Sequence, residues 1–141
     1  MTIKEQQDEI IDEFSIFSDW MDKYEYIISL GKELPIIDPS KKTEDNIIKG
    51  CQSQVWLDGQ LVDGKIIFTA DSDAIITKGI IALLIRVVSN QTPNEILNNE
   101  LFFIDQIGLK EHLSPTRSNG LVSMVKKMKL FALGYKAKTE N

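Results

Sequence analysis

Cysteine and histidine each occur once in the 141 residues, as Cys51 and His112. A single thiol excludes an internal disulfide. It also excludes the set of soft ligands that a structural zinc or iron–sulfur site normally draws from one chain. A lone free thiol fits a reducing compartment, so a cytoplasmic location is expected. Positive charge is short as well: 16 Lys and Arg face 21 Asp and Glu, a formal net charge of −5. That balance argues against nucleic acid as a partner, because phosphate binding needs a basic footprint. Long apolar runs are absent. The longest, Gly79–Val88, is interrupted by Arg86 and falls well short of the about 20 residues that span a bilayer. The acidic, amphipathic start MTIKEQQDEIIDEF lacks the basic and then apolar regions of a signal peptide. No internal repeat or low-complexity segment occurs.

What remains is a globular composition, 43% hydrophobic and 26% charged. A chain of this length buries a core without covalent staples, and residues 1–141 are read as one domain. Ile3, Gln7, Ile10, Ile11, Phe14 and Phe17 recur at helical spacing over residues 3–17. Ser18 is the expected cap of a second helix, which carries Trp20, Tyr24, Ile27, Ile28 and Leu30 and stops near Gly31. Residues 34–46, with two prolines, read as an irregular connection. Ile47–Lys49 is a candidate short strand. Ser53–Val62 and Lys65–Ala70 read as an antiparallel hairpin turning at Asp63-Gly64, with Asp58-Gly59 a competing turn. Ala74–Val88 is apolar on nearly every side and is expected at the centre of the fold. Thr92-Pro93 and Ser114-Pro115 are cap-plus-proline starts. The first opens a short helix and the second a long one reaching Tyr135, with short helical turns over residues 101–112 between them. The order is helices, a small antiparallel sheet, then helices: an α+β domain.

Cys51 lies in Lys49-Gly50-Cys51-Gln52-Ser53-Gln54. Two readings of it stand on local context. Free cysteine behaves as a small buried hydrophobe. Equally, a thiol beside a glycine can move between shelter and exposure, and a nearby cation, here Lys49, favours the reactive thiolate.

The run Gly50-Cys51-Gln52-Ser53-Gln54-Val55-Trp56 resembles the signature of the SufE family (SufE/CsdE-like), sulfur acceptors that work with cysteine desulfurases. Further pieces agree in order. They are Trp20–Tyr24, Leu30–Pro35, Asp71–Ala74 with Thr77-Lys78-Gly79, and Leu113-Ser114-Pro115-Thr116-Arg117-Ser118-Asn119-Gly120-Leu121. Together they cover nearly the whole chain. The resemblance implies that Cys51 takes persulfide sulfur from a SufS-like, pyridoxal-phosphate-dependent cysteine desulfurase. The chain would stimulate that enzyme and deliver the sulfur to an iron–sulfur scaffold. It implies a sulfurtransferase-type subunit that acts only with the desulfurase, binds no cofactor of its own, and has a fold like that of IscU-type scaffolds.

Other residues carry weaker signals. Arg117 sits in the first turn of a helix, where a cation opposes the helix dipole. It is either a solvated surface arginine or a partner for the Cys51 persulfide or a docking carboxylate. Gln52, Ser53 and Gln54 are either strand-edge residues or hydrogen-bonding neighbours of the sulfur and its donor. His112 is read as a surface or helix-end histidine, Trp20 and Trp56 as core aromatics. Lys126, Lys127, Lys129, Lys136 and Lys138 form a solvated helix face or a docking face. Two other functions compete: an allosteric activator of the desulfurase in which Cys51 is structural, and an independent thiol hydrolase using Cys51 and His112.

Overall fold

The computed structural model describes residues 1–139. Within them seven helices and one hairpin follow in order: α1 (Ile3–Phe14), α2 (Trp20–Gly31), β1 (Val55–Val62), β2 (Lys65–Ser72), α3 (Ile75–Val88), α4 (Pro93–Asn98), α5 (Phe103–Gln106), α6 (Leu109–His112) and α7 (Pro115–Thr139). The architecture is α+β, a two-stranded antiparallel sheet with helices from both ends of the chain around it. Helix α3 is the hub. It packs on β2 and is contacted by α1, α2 and α7, and ten of its fourteen residues are buried.

The hairpin turns at Asp63 and Gly64, both at positive φ (52° and 81°), the geometry that matches strand twist in a two-residue turn. Gly59 is no turn. It pairs with Phe68 in mid-strand, where a Cβ would lie 3.0 Å from the Phe68 ring. Glycine there makes room for a buried aromatic. The sheet edges are covered by neighbouring loops. Ile37 donates to the Ala70 carbonyl and Ala70 to that of Pro35, while Ile66 exchanges backbone hydrogen bonds with Asn90 and Gln91.

Local boundaries differ from expectation in several places. α1 ends at Phe14 rather than reaching Phe17, and β2 runs past Ala70 to Ser72. Asp19, rather than Ser18, caps α2, its carboxylate accepting from the Asp22 amide at 2.9 Å. A carboxylate also complements the positive end of the helix dipole. Ile47–Lys49 forms no strand: one bridge, Ile47 to Trp56, is all that pairs. Helix α7 runs past Tyr135 to Thr139, since neither Gly134 nor the lysines after it stop a helix whose buried face is already docked. Residues 34–46 are irregular apart from two single turns, Pro39–Lys41 and Glu44–Asn46.

Two interactions hold the helical layer on α3. Gly79 lies at the crossing of α2 and α3, where a Cβ would stand 2.1 Å from the Ile27 carbonyl oxygen. Close backbone approach is the reason for glycine at that point. At the far end of α3, Arg86 donates to Glu9 and Glu13 of α1, and Tyr26 of α2 donates to the same Glu13. These bonds raise the guanidinium pKa, and the Arg86 hydrogen bond holds the Glu13 carboxyl below its ordinary value. Buried Gln7 ties α1 to the loop before α5 through the Glu100 carbonyl and the Phe103 amide.

The two glycines Gly79 and Gly134 make opposite predictions. Gly79→Ala forces α2 off α3 and is expected to cost about 1–3 kcal/mol, the usual range for overpacking. Gly134 has nothing within 4 Å of a built Cβ, so Gly134→Ala is expected to stabilise by about 0.5–1 kcal/mol. Urea unfolding of both variants checks this, and equal effects would contradict the crossing geometry.

Candidate functional site

The only thiol in the chain sits on the short loop that enters β1. Its two ends are pinned. Ile48 donates to the Val55 carbonyl at 2.8 Å. On the other side Gln54 donates its amide to Asp73 Oδ1 at 3.1 Å, and its carbonyl accepts from Ser72 Oγ at 2.8 Å. The loop between them lies against the N-terminal part of α7. Gly50 has φ of +93°, and a Cβ on it would lie 2.7 Å from Ser123 Oγ. Glycine is therefore needed both for the backbone angle and for contact with α7.

One residue later, Cys51 is half-buried at the margin of the core. Its Sγ donates to the Gly120 carbonyl of α7 at 3.7 Å. A Cβ on Gly120 would lie 3.2 Å from that sulfur and 3.7 Å from Cys51 Cα. The missing side chain at Gly120 is thus the notch in which the thiol rests. Burial pushes the Cys51 thiol pKa above its ordinary value. The carbonyl oxygen in contact with it accepts from S–H and would repel a thiolate. Lys49, the expected local cation, is exposed and does not offset that rise. In this conformation the sulfur is protonated, sheltered and weakly nucleophilic.

The other sequence-predicted residues divide. Gln52 and Gln54 are exposed and Ser53 half-buried, all on the loop itself. Arg117 is exposed; its backbone amide donates to the capping hydroxyl of Ser114. It lies three residues before Gly120, one helical turn or about 4.5 Å along the axis on the same face, without a hydrogen bond to Cys51. His112 is not brought to the thiol. Its ring is stacked on Trp20 with centroids 4.4 Å apart and planes 13° from parallel. Trp20 is half-buried against the core, and Trp56 is half-buried beneath Lys42 Nζ, 4.9 Å from the ring centroid. Gly120 and Ser123 are the functional neighbours that motif reading left without a role. The available signal was a glycine inside an otherwise sound helix, which wants a packing reason.

Among the described residues no group of three or more His, Cys, Asp or Glu is placed to hold a metal ion. None of the described helices is long and apolar enough to cross a membrane.

The elevated thiol pKa and the tight notch give a joint prediction for the free protein. Alkylation of Cys51 by iodoacetamide should be slow at neutral pH and rise with an apparent midpoint above the ordinary cysteine value of about 8.5. Gly120→Ala pushes against the sulfur and should speed alkylation several-fold at fixed pH. A midpoint below about 8.5 would contradict the sheltered, protonated thiol.

Residues 8–132 match the family model SufE, described as an Fe-S metabolism associated domain. The chain is 40% identical over 132 residues to an uncharacterized SufE-like protein of Rhizobium meliloti strain 1021, covering 90% of this chain and 94% of that one. It is 43% identical over 127 residues to an uncharacterized SufE-like protein of Rhizobium etli, covering 86% of each. Its fold is similar to the solution structure of a hypothetical protein from Thermus thermophilus. There the TM-score is 0.76 at 18% identity, over 95% of this chain and 96% of that one.

Proposed function

The chain belongs to the SufE family, and from that premise we propose that it accepts sulfur on Cys51 from a cysteine desulfurase and carries it toward iron–sulfur cluster assembly. The observation that carries this reading is the placement of the one thiol. It lies on a loop with pinned ends, half out of the core, resting in the Gly120 notch with its Sγ 3.7 Å from the Gly120 carbonyl.

The chemistry is a thiol–persulfide exchange. The desulfurase holds the sulfur taken from L-cysteine as a persulfide, R–S–S–H, on its own cysteine. Cys51 loses its proton and attacks the terminal sulfur. The bond between the two desulfurase sulfurs breaks, and a bond from Cys51 Sγ to the terminal sulfur forms. The desulfurase thiolate leaves and takes up the proton, so no oxidant or reductant is consumed. Pyridoxal phosphate belongs to the desulfurase, which generates the sulfur. Because the resting thiol is protonated and faces a carbonyl, docking must lift it from the notch into surroundings that favour the thiolate. Gly50 supplies the backbone freedom for that movement. On return, the same pocket shelters the loaded sulfur from stray thiols. Arg117, one turn along α7, is the cation nearest in helix position to the notch. It is assigned to meeting the charge on the sulfur or a carboxylate of the docked partner.

A competing reading, in which the protein activates the desulfurase without carrying sulfur, keeps Cys51 as a packing residue. Desulfurase turnover separates the two. With L-cysteine and saturating protein, Cys51→Ser should abolish stimulation while leaving the unfolding midpoint unchanged. Arg117→Ala should reduce it less severely, by about tenfold, since loss of a hydrogen bond to a charged group typically costs about 1.5 kcal/mol or more. Full stimulation by the Cys51→Ser protein would favour the activator. The thiol-hydrolase alternative has no Cys–His pair to support it, since His112 is stacked on Trp20.

A further inference from the structure

Charge is unevenly distributed over this fold. Helix α7 carries Arg117, Lys126, Lys127, Lys129, Lys136 and Lys138 and no Asp or Glu, within a chain of formal net charge −5. The same helix leaves apolar side chains in water. Val122, Leu130 and Leu133 are 53%, 53% and 55% exposed. With exposed Lys126 they fall at positions 122, 126, 130 and 133, one stripe along the helix and about 16 Å long. Beside the stripe runs a groove of about 520 Å3 between α7 and the α4–α5 segment. Its apolar lining includes Leu97, Leu101, Ile104 and Val125, and Lys110, Lys126 and Lys129 stand on its rim with Glu100. One end of the groove is lined by Leu121 and Val122, the residues directly after the Gly120 notch that holds Cys51.

We propose that this groove and stripe are the docking surface for an apolar ridge flanked by acidic residues on the cysteine desulfurase, seated so that it abuts the Cys51 loop. The inference rests on the sulfur-transfer reading for the identity of the partner. The surface itself is defined by geometry and charge. Apolar lining with a lysine rim calls for an occupant that is apolar at its centre and acidic at its margins, because rim charges steer encounter and reject like charge. An anionic membrane fits less well: the groove is concave, and outside α7 the chain has a large acidic excess that such a surface would repel. A second copy meeting face to face would oppose lysine with lysine. A ridge seated in the groove would press on Val122 and the first turns of α7, the wall against which the thiol loop rests. Docking and release of Cys51 are thereby joined through one helix.

The test is direct titration of the Cys51→Ser protein into the same organism's desulfurase by calorimetry, so that affinity is read without sulfur transfer. Leu130→Glu and Lys126→Glu, both at exposed positions, should each weaken binding about tenfold, the first by losing a central interface contact and the second by setting a carboxylate against the partner's acidic margin. Affinity of the parent protein should fall with added salt. In stimulation assays with Cys51 intact, the half-saturating concentration should rise by a similar factor with the maximal rate unchanged. Unfolding midpoints should stay at the parent value. Unaltered affinity in both variants overturns the proposal, as does an absence of binding by the parent. So does Leu130-dependent binding to phosphatidylserine vesicles, or Leu130-dependent dimerisation in sedimentation, with desulfurase affinity unaffected. Tight binding that is lost in Leu130→Glu, without sulfur appearing on Cys51 of the parent, would uphold the docking surface and refute the carrier reading.

Discussion

The thiol rests close against helix α7 because residue 120 has no side chain. A Cβ there would lie 3.2 Å from the sulfur, so the thiol would have to give by a few tenths of an ångström, straining the contact that carries its hydrogen bond to the Gly120 carbonyl. The remaining architecture serves to present that wall. α7 is fixed along its length by Leu121, Met124, Met128 and Ala132 in the core and by the Tyr135 hydroxyl on the Gly59 carbonyl at 2.6 Å. α3, on which α7 also packs, is held by the Gly79 crossing and the Arg86 ion pairs. The loop is thus a short segment pinned at both ends and seated against a fixed helix.

Shelter and reactivity oppose each other at this sulfur. Burial raises the thiol pKa and so lowers the thiolate fraction that exchange chemistry needs. A carrier gains from that conflict when its partner resolves it. On the proposed carrier function, the thiol would be sheltered from small reagents while seated on its own helix and become competent when the partner's surface draws the loop out. The modest hold of a single S–H hydrogen bond and a half-buried side chain suits a loop that must leave and return.

Much of this was legible in the chain itself, for identifiable physical reasons. Period-two patterning and the Asp63-Gly64 pair gave the hairpin and its turn, and an all-round apolar run placed Ala74–Val88 at the centre, as found. Cap-plus-proline starts located α4 and α7. The misses came where long-range contact outweighs local pattern. Gly59 looks like a turn but is a strand residue emptied for Phe68. Lys49 looks like a thiolate-stabilising neighbour in sequence, whereas the groups against the sulfur come from a helix 69 residues on. Gly120 and Ser123 carry no motif chemistry of their own; only the fold shows them as the wall of the thiol pocket. The lysines of α7 read in sequence as a solvated face or a docking face, and the fold places the exposed Val122, Leu130 and Leu133 on the same helix.

The central claim is that sulfur passes to Cys51, and one measurement addresses it most directly. A desulfurase loaded with radiolabelled persulfide sulfur, freed of L-cysteine, is mixed with this protein for a single turnover and digested under non-reducing conditions. The account predicts that the label leaves the desulfurase and appears on the peptide containing Cys51, releasable by reductant. Label remaining on the desulfurase, while this protein is shown to be bound to it, would contradict the account.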